Sequence, residues 1–160
     1  MITWLSNSKK VNQLKSWTDL PIDNVKEFSG TAQYSINFNK PAGSADVWLL
    51  DLGDVKESAT IILNGEKIAT LIGPSYSVTI PASLIKAEND LKIIVTNGMA
   101  NRIIDLDKRA VVWKKFYNVN MPARLAVNRG TDGLFTTIKW QPMASGLIGP
   151  ISIRPLKFIK

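Results

Sequence analysis

Asp105 and Asp107 are the only closely spaced carboxylates in the weakly patterned stretch 98–110 of this chain. Paired carboxylates cleave glycosidic bonds when a general acid faces a base or nucleophile about 5–5.5 Å or about 6.5–9.5 Å away across a sugar-sized cleft. Arg102, Lys108 and Arg109 flank the pair and favour its ionised form, which is the wrong state for a general acid. The plainer reading is a loop braced by Asp–Arg and Asp–backbone hydrogen bonds. The same region holds the groups that recognise sugars: aromatic planes at Trp113 and Tyr117, with Asn101, Arg102 and Asp105 for the hydroxyls. These five form the candidate ligand-binding set, with no catalytic and no metal-ligating residue assigned. Asn97, Asn101 and Asp105 can also offer oxygens to a structural calcium, although their spacing does not follow the EF-hand pattern. Asn and Asp are turn residues first.

Two absences narrow the chemistry further. The chain has no Cys and no His, so it has no disulfide, thiolate nucleophile, Ser-His-Asp triad or nitrogen/sulfur zinc site. The net charge of +7 is regional: residues 101–160 hold eleven Lys/Arg against three Asp, whereas residues 1–100 hold nine basic against ten acidic side chains. A basic region attracts nucleic acid, an acidic polymer or an acidic neighbouring domain. No nucleic-acid module is visible and the basic residues form no dense run, so a solvated or domain-facing surface is expected. No stretch approaches the roughly 18 apolar residues of a membrane span, and the opening Met1-Ile2-Thr3-Trp4-Leu5 lacks the plan of a signal peptide. A monomer is expected, with neither nucleic acid nor membrane as partner.

The elements that must position these side chains are strands. Residues 31–38 alternate strictly, which turns Ala32, Tyr34, Ile36 and Phe38 inward. The near-continuous apolar run 45–52 reads as a central strand covered on both sides, with Trp48 among its large side chains. Asn64-Gly65 between two β-prone runs predicts a type I′ hairpin, because both residues tolerate positive φ. Residues 75–80 alternate up to Pro81, residues 83–86 read as one helical turn, and 90–96 as a further strand. Residues 98–110 read as a long loop, 111–117 as a short strand or extended segment, and 134–140 and 148–153 as the last strands. A short helix over 9–17 would put Val11, Leu14 and Trp17 on one side. Trp48 and Trp140 are expected to be buried, while Trp113, beside Lys114-Lys115, needs solvent or a partner. About eight short strands with Gly/Pro/Asn turns make an all-β jelly-roll sandwich, with 1–27 as a lead-in packed on a single domain over 28–160.

Phe28-Ser29-Gly30-Thr31-Ala32-Gln33-Tyr34, Leu50-Asp51-Leu52-Gly53-Asp54-Val55, and Leu63-Asn64-Gly65 with Ala69-Thr70-Leu71 resemble the galactose-binding-like jelly roll of family 2 glycoside hydrolases. Ala100-Asn101-Arg102-Ile103-Ile104-Asp105, Trp113-Lys114-Lys115-Phe116-Tyr117 and Ser145-Gly146-Leu147-Ile148-Gly149-Pro150 are similar to the C-terminal part of large α-L-rhamnosidase-like hydrolases. The likeness spans residues 28–153. It implies a non-catalytic domain of a larger periplasmic or secreted enzyme whose catalytic residues lie in a separate barrel. Its expected partners are carbohydrate, the catalytic domain, or both. In related β-galactosidases a loop of this module lends an acidic residue to the neighbouring active site, and the region of Asp105 matches by position. The alternative is a purely structural module that braces the parent enzyme and binds no sugar.

Overall fold

The computed structural model describes residues 8–114 and 118–159. Among the described residues nine strands carry the fold: β1 (Thr31–Asn39), β2 (Val47–Asp51), β3 (Asp54–Lys56), β4 (Ser58–Leu63), β5 (Glu66–Ile72), β6 (Ser77–Pro81), β7 (Glu88–Thr96), β8 (Gly146–Gly149) and β9 (Ser152–Leu156). They form a four-stranded sheet in the order β1-β7-β4-β5, a three-stranded sheet β6-β2-β9 and a two-stranded ladder β3-β8. All ladders are antiparallel. Period-two alternation sets which face of each strand is buried. Ala59, Ile61 and Leu63 of β4 and Leu91, Ile93 and Val95 of β7 meet Trp48 and Leu50 of β2 and Ile80 of β6 in one core. Each Leu, Ile or Val side chain so withdrawn from water contributes about 1.5–3 kcal/mol. The all-β sandwich expected from the sequence is the fold observed.

The register follows the local signals. Asn64 (φ 53°) and Gly65 (φ 87°) close the β4–β5 hairpin as its type I′ turn requires. The Asn64 side chain does more than turn the chain. Its amide donates to the Leu84 carbonyl and to Asn89 Oδ1, and its Oδ1 accepts from the Asp90 N–H. β2 is the central strand of its sheet, but only Trp48 and Leu50 are fully covered; Val47, Leu49 and Asp51 are half-buried. The helical turn expected at 83–86 is a 3-10 turn at Ala82–Leu84.

Several expectations are corrected. Residues 98–110 are not a loop: they contain the helix α1 (Ala100–Lys108), followed by Ala110 in the left-handed region (φ 54°). Its signal lay in spacing, because Asn101 and Ile104 fall on one buried face and Asp105 stands three and four residues from Arg102 and Arg109. The helix expected over 9–17 is replaced by a 3-10 turn at Trp17–Asp19. Ser16 caps that turn from an extended conformation, and Ser145 holds it by bonding to the Ser16 hydroxyl and the Trp17 N–H.

The run 148–153 is two strands in different sheets. Gly149 bends left-handed (φ 74°) and Pro150 has no N–H to donate to a ladder. Residues 134–140 keep only an isolated bridge, Arg129 to Phe135. The backbone N–H of Thr137 and the hydroxyls of Thr136 and Thr137 are directed at a carboxylate instead. Residues 111–114 are irregular, and the rest of the expected segment, 115–117, lies outside the described residues. No helix among the described residues is long and apolar enough to cross a membrane.

Candidate functional site

α1 leaves the end of β7 and is fastened there by two asparagines. Asn97 accepts from the Gly30 N–H at 2.8 Å and donates to the Phe28 carbonyl and to Ser145 Oγ. Asn101, 4 % exposed, accepts from the Met143 N–H at 2.7 Å and donates to the Met143 carbonyl at 2.7 Å and to Ser145 Oγ at 3.2 Å. The amide expected to read a sugar hydroxyl is therefore committed to the chain's own backbone. The same bonds bear on these residues as calcium ligands. The Asn97 and Asn101 oxygens accept backbone N–H groups and Asp105 faces guanidinium groups, so the three do not fit a cation.

Asp105 and Asp107 sit two residues apart on α1, which turns them to different sides of the helix. Asp105 bonds Arg102 at 3.1 Å and receives Nε and Nη2 of Arg109 at 2.9 and 2.7 Å. Arg102 and Asp105 thus pair with each other near the surface, their side chains 37 % and 18 % exposed.

Asp107 is the buried member. Its side chain is 7 % exposed, and it accepts from the Trp113 indole at 2.6 Å, the Thr137 N–H at 2.7 Å, the Thr137 hydroxyl at 3.0 Å and the Thr136 hydroxyl at 3.2 Å. Lys114 Nζ pairs with it at 3.1 Å, donates to the Phe135 carbonyl at 2.6 Å and stands 5.2 Å and 5.7 Å from the Trp113 and Phe135 ring centres. Burial alone would raise the Asp107 pKa. The Thr137 N–H, the Trp113 indole, Lys114 and the Thr137 hydroxyl together outweigh it, and the carboxyl lies below its ordinary range. A carboxylate so held is an anchor and not a proton donor.

The anchor ties α1 to a layer of loops and short 3-10 turns over 118–140. Within it Asn118 bonds the Gly133 carbonyl and the Phe135 N–H. Asn120 caps the turn Met121–Arg124, and Asn128 bonds the Pro122 carbonyl and the Trp140 indole. Trp140, expected to be buried, is only half-buried, because its indole reaches Asn128 at 2.9 Å and its ring meets Phe135 edge-on. Trp113 is also half-buried, its indole nitrogen spent on Asp107. Beside the anchor, Asp107, Lys114, Arg129, Thr136 and Lys139 line an open groove of about 600 Å³.

Of the five expected site residues, the structure brings Arg102 and Asp105 together at the surface, buries Asn101 behind them and sets Trp113 on the Asp107 side. Tyr117 lies outside the described residues. Sequence reasoning overlooked Lys114, Asn128 and Thr137 as partners of this network. The pair Thr136-Thr137 amid apolar neighbours was the available hint, since buried hydroxyls need partners.

Comparison with known proteins places this arrangement. No family model matches the sequence. The chain is 31 % identical over 163 residues to a putative beta-glucuronidase of Formosa agariphila, across 94 % of this chain and 14 % of that protein. It superposes on a rhamnosidase from Novosphingobium sp. PP1Y with a TM-score of 0.68 and 27 % identity, over 89 % of this chain and 12 % of the other. The resemblance to the sandwich modules of large glycoside hydrolases holds. The module spans about one-seventh or less of the length of each.

Proposed function

We propose that this chain is a non-catalytic accessory module of a larger glycoside hydrolase, a carbohydrate-associated domain whose α1 end faces glycan or the catalytic domain. One observation carries the reading. The chain matches a domain-sized part of two much longer glycoside hydrolases, while its own best carboxylate candidates are held by Arg102 and Arg109, or by Trp113, Thr137 and Lys114. Catalysis in such a protein belongs to another domain, acting on a uronic acid or rhamnose linkage if it follows these relatives. A periplasmic or secreted setting goes with that role. Of the candidate residues, Arg102 and Asp105 are the polar ones that reach solvent for a sugar contact, while Trp113 stands on the Asp107 side of α1. The second reading, a module that only braces the enzyme, is favoured by the full commitment of Asn101 and the Trp113 indole to internal bonds. Calorimetric titration of the chain with neutral and acidic oligosaccharides separates the two. Saturable heat that is lost in Arg102→Ala supports glycan contact, and its absence with every sugar leaves the bracing role.

A further inference from the structure

Nine of the fourteen exposed large apolar side chains among the described residues fall between positions 99 and 143, so exposed apolar surface is concentrated at the α1 end. Val119, Met121, Leu125, Val127 and Ile138 belong to the single hydrogen-bonded layer that Asp107 and Asn128 hold together. They are 75 %, 67 %, 59 %, 65 % and 52 % exposed. Scattered apolar residues on a surface need no explanation, but a concentrated patch with a polar rim marks an interaction site. The exposed charges of the same layer are mostly basic: Arg124, Arg129 and Lys139 form no ion pair among the described residues and stand against one exposed carboxylate, Asp132.

We propose that the exposed apolar face of 119–138 is a protein-docking surface, covered by an acid-rimmed apolar surface of a companion domain in the same polypeptide. The inference rests on the accessory-module reading and decides between its two partners for this face. A sugar platform needs an open aromatic plane, and the aromatics described in this layer are buried or half-buried: Phe135 is 5 % exposed and the Trp140 indole is turned to Asn128. Valine, leucine and methionine side chains suit a protein surface better than sugar hydroxyls. A second copy of the chain would set one mostly basic surface against another, whereas an acidic partner gains from the +8 balance of residues 101–160. The two relatives are each about seven times as long or longer than the matched segment, which supplies a companion within one chain. Interdomain contacts of this kind bury about 600–1,500 Å².

Because the chain has no Cys, single-cysteine labelling reads the face directly. Leu125→Cys, Val127→Cys and, on the far side of the sandwich, Lys67→Cys are reacted with a maleimide in the 160-residue chain and in the polypeptide expressed from the complete native gene. The expected result is labelling at 125 and 127 at least tenfold slower in the long polypeptide. Position 67 should be unchanged, and Arg124→Glu with Arg129→Glu should restore the rates. Equal rates at 125 and 127 in both proteins overturn the inference while leaving the accessory role standing. So does slowing in the short chain that grows with its concentration, which would make the occupant a second copy. A native polypeptide of only 160 residues overturns the accessory role, and the docking surface with it.

Discussion

Replacing Asp107 by Asn should loosen the whole 118–140 layer, because one carboxylate joins that layer to α1. In the native chain five donors from four residues converge on two oxygens: the Trp113 indole, the Thr137 N–H, the hydroxyls of Thr136 and Thr137, and the Lys114 ammonium. An amide keeps one acceptor oxygen and turns a donor toward these donors, while Lys114, its side chain only 14 % exposed, loses its ion pair with Asp107. Breaking a buried ion pair from one side costs about 3–5 kcal/mol, and a hydrogen bond to a charged group contributes about 1.5–3 kcal/mol. A loss of about 3 kcal/mol follows. For a chain of 160 residues it corresponds to a fall of about 6–12 °C in melting temperature.

The effect must also depend on pH in one direction. The folded-state pKa of Asp107 is depressed, so its contribution is present above the unfolded-state value of about 3.9 and disappears as pH falls through the folded value. Urea unfolding at pH 7 and at about pH 3 measures both effects. The gap between wild type and Asp107→Asn should be full at pH 7 and narrower in acid. A gap below about 0.5 kcal/mol at pH 7, the range of ordinary surface substitutions, would refute the assignment of Asp107 as the anchor.

Other outcomes follow from the same geometry. Gly53→Ala should be strongly destabilising in thermal melts, because Gly53 has φ 65° and an added Cβ would lie 2.5 Å and 2.6 Å from the Gly149 carbonyl carbon and oxygen. Asn101→Ala should lower stability by about 1–2 kcal/mol in urea titration, since it removes the buried amide that bonds the Met143 N–H and C=O. Arg102→Ala, with its partner shared by Arg109, should leave the urea midpoint unmoved. If the module binds sugar, acidic oligosaccharides should bind better than neutral ones and more weakly as salt rises, because the Debye length is about 8 Å at physiological ionic strength. Salt-independent binding of a neutral sugar, seen by calorimetry, would contradict that.

What the sequence made legible was the sandwich, because alternation along β1, β4 and β7 and the Asn64-Gly65 turn are local signals that tertiary structure did not override. The α1 end was legible only in composition. Residues 100–108 carry no proline or side-chain cap to announce a helix, and Thr136 and Thr137 have the β-propensity of a strand. A distant carboxylate captured the hydrogen bonds a ladder would have used. Likewise Asn97 and Asn101 have the chemistry of ligand contacts, and only the position of Met143, Ser145 and Gly30 shows that the fold consumes it. The plainer reading of the aspartates, a region braced by Asp–Arg and Asp–backbone bonds, matches the geometry of both Asp105 and Asp107.

The most direct test of the non-catalytic role is a turnover assay of the purified 160-residue chain on aryl β-glucuronides and aryl α-rhamnosides, run beside the polypeptide from the complete native gene. The account predicts release of aglycone by the long polypeptide and none above background by the chain alone, in wild type and in Asp105→Asn alike. Turnover by the chain alone that disappears in Asp105→Asn would contradict it.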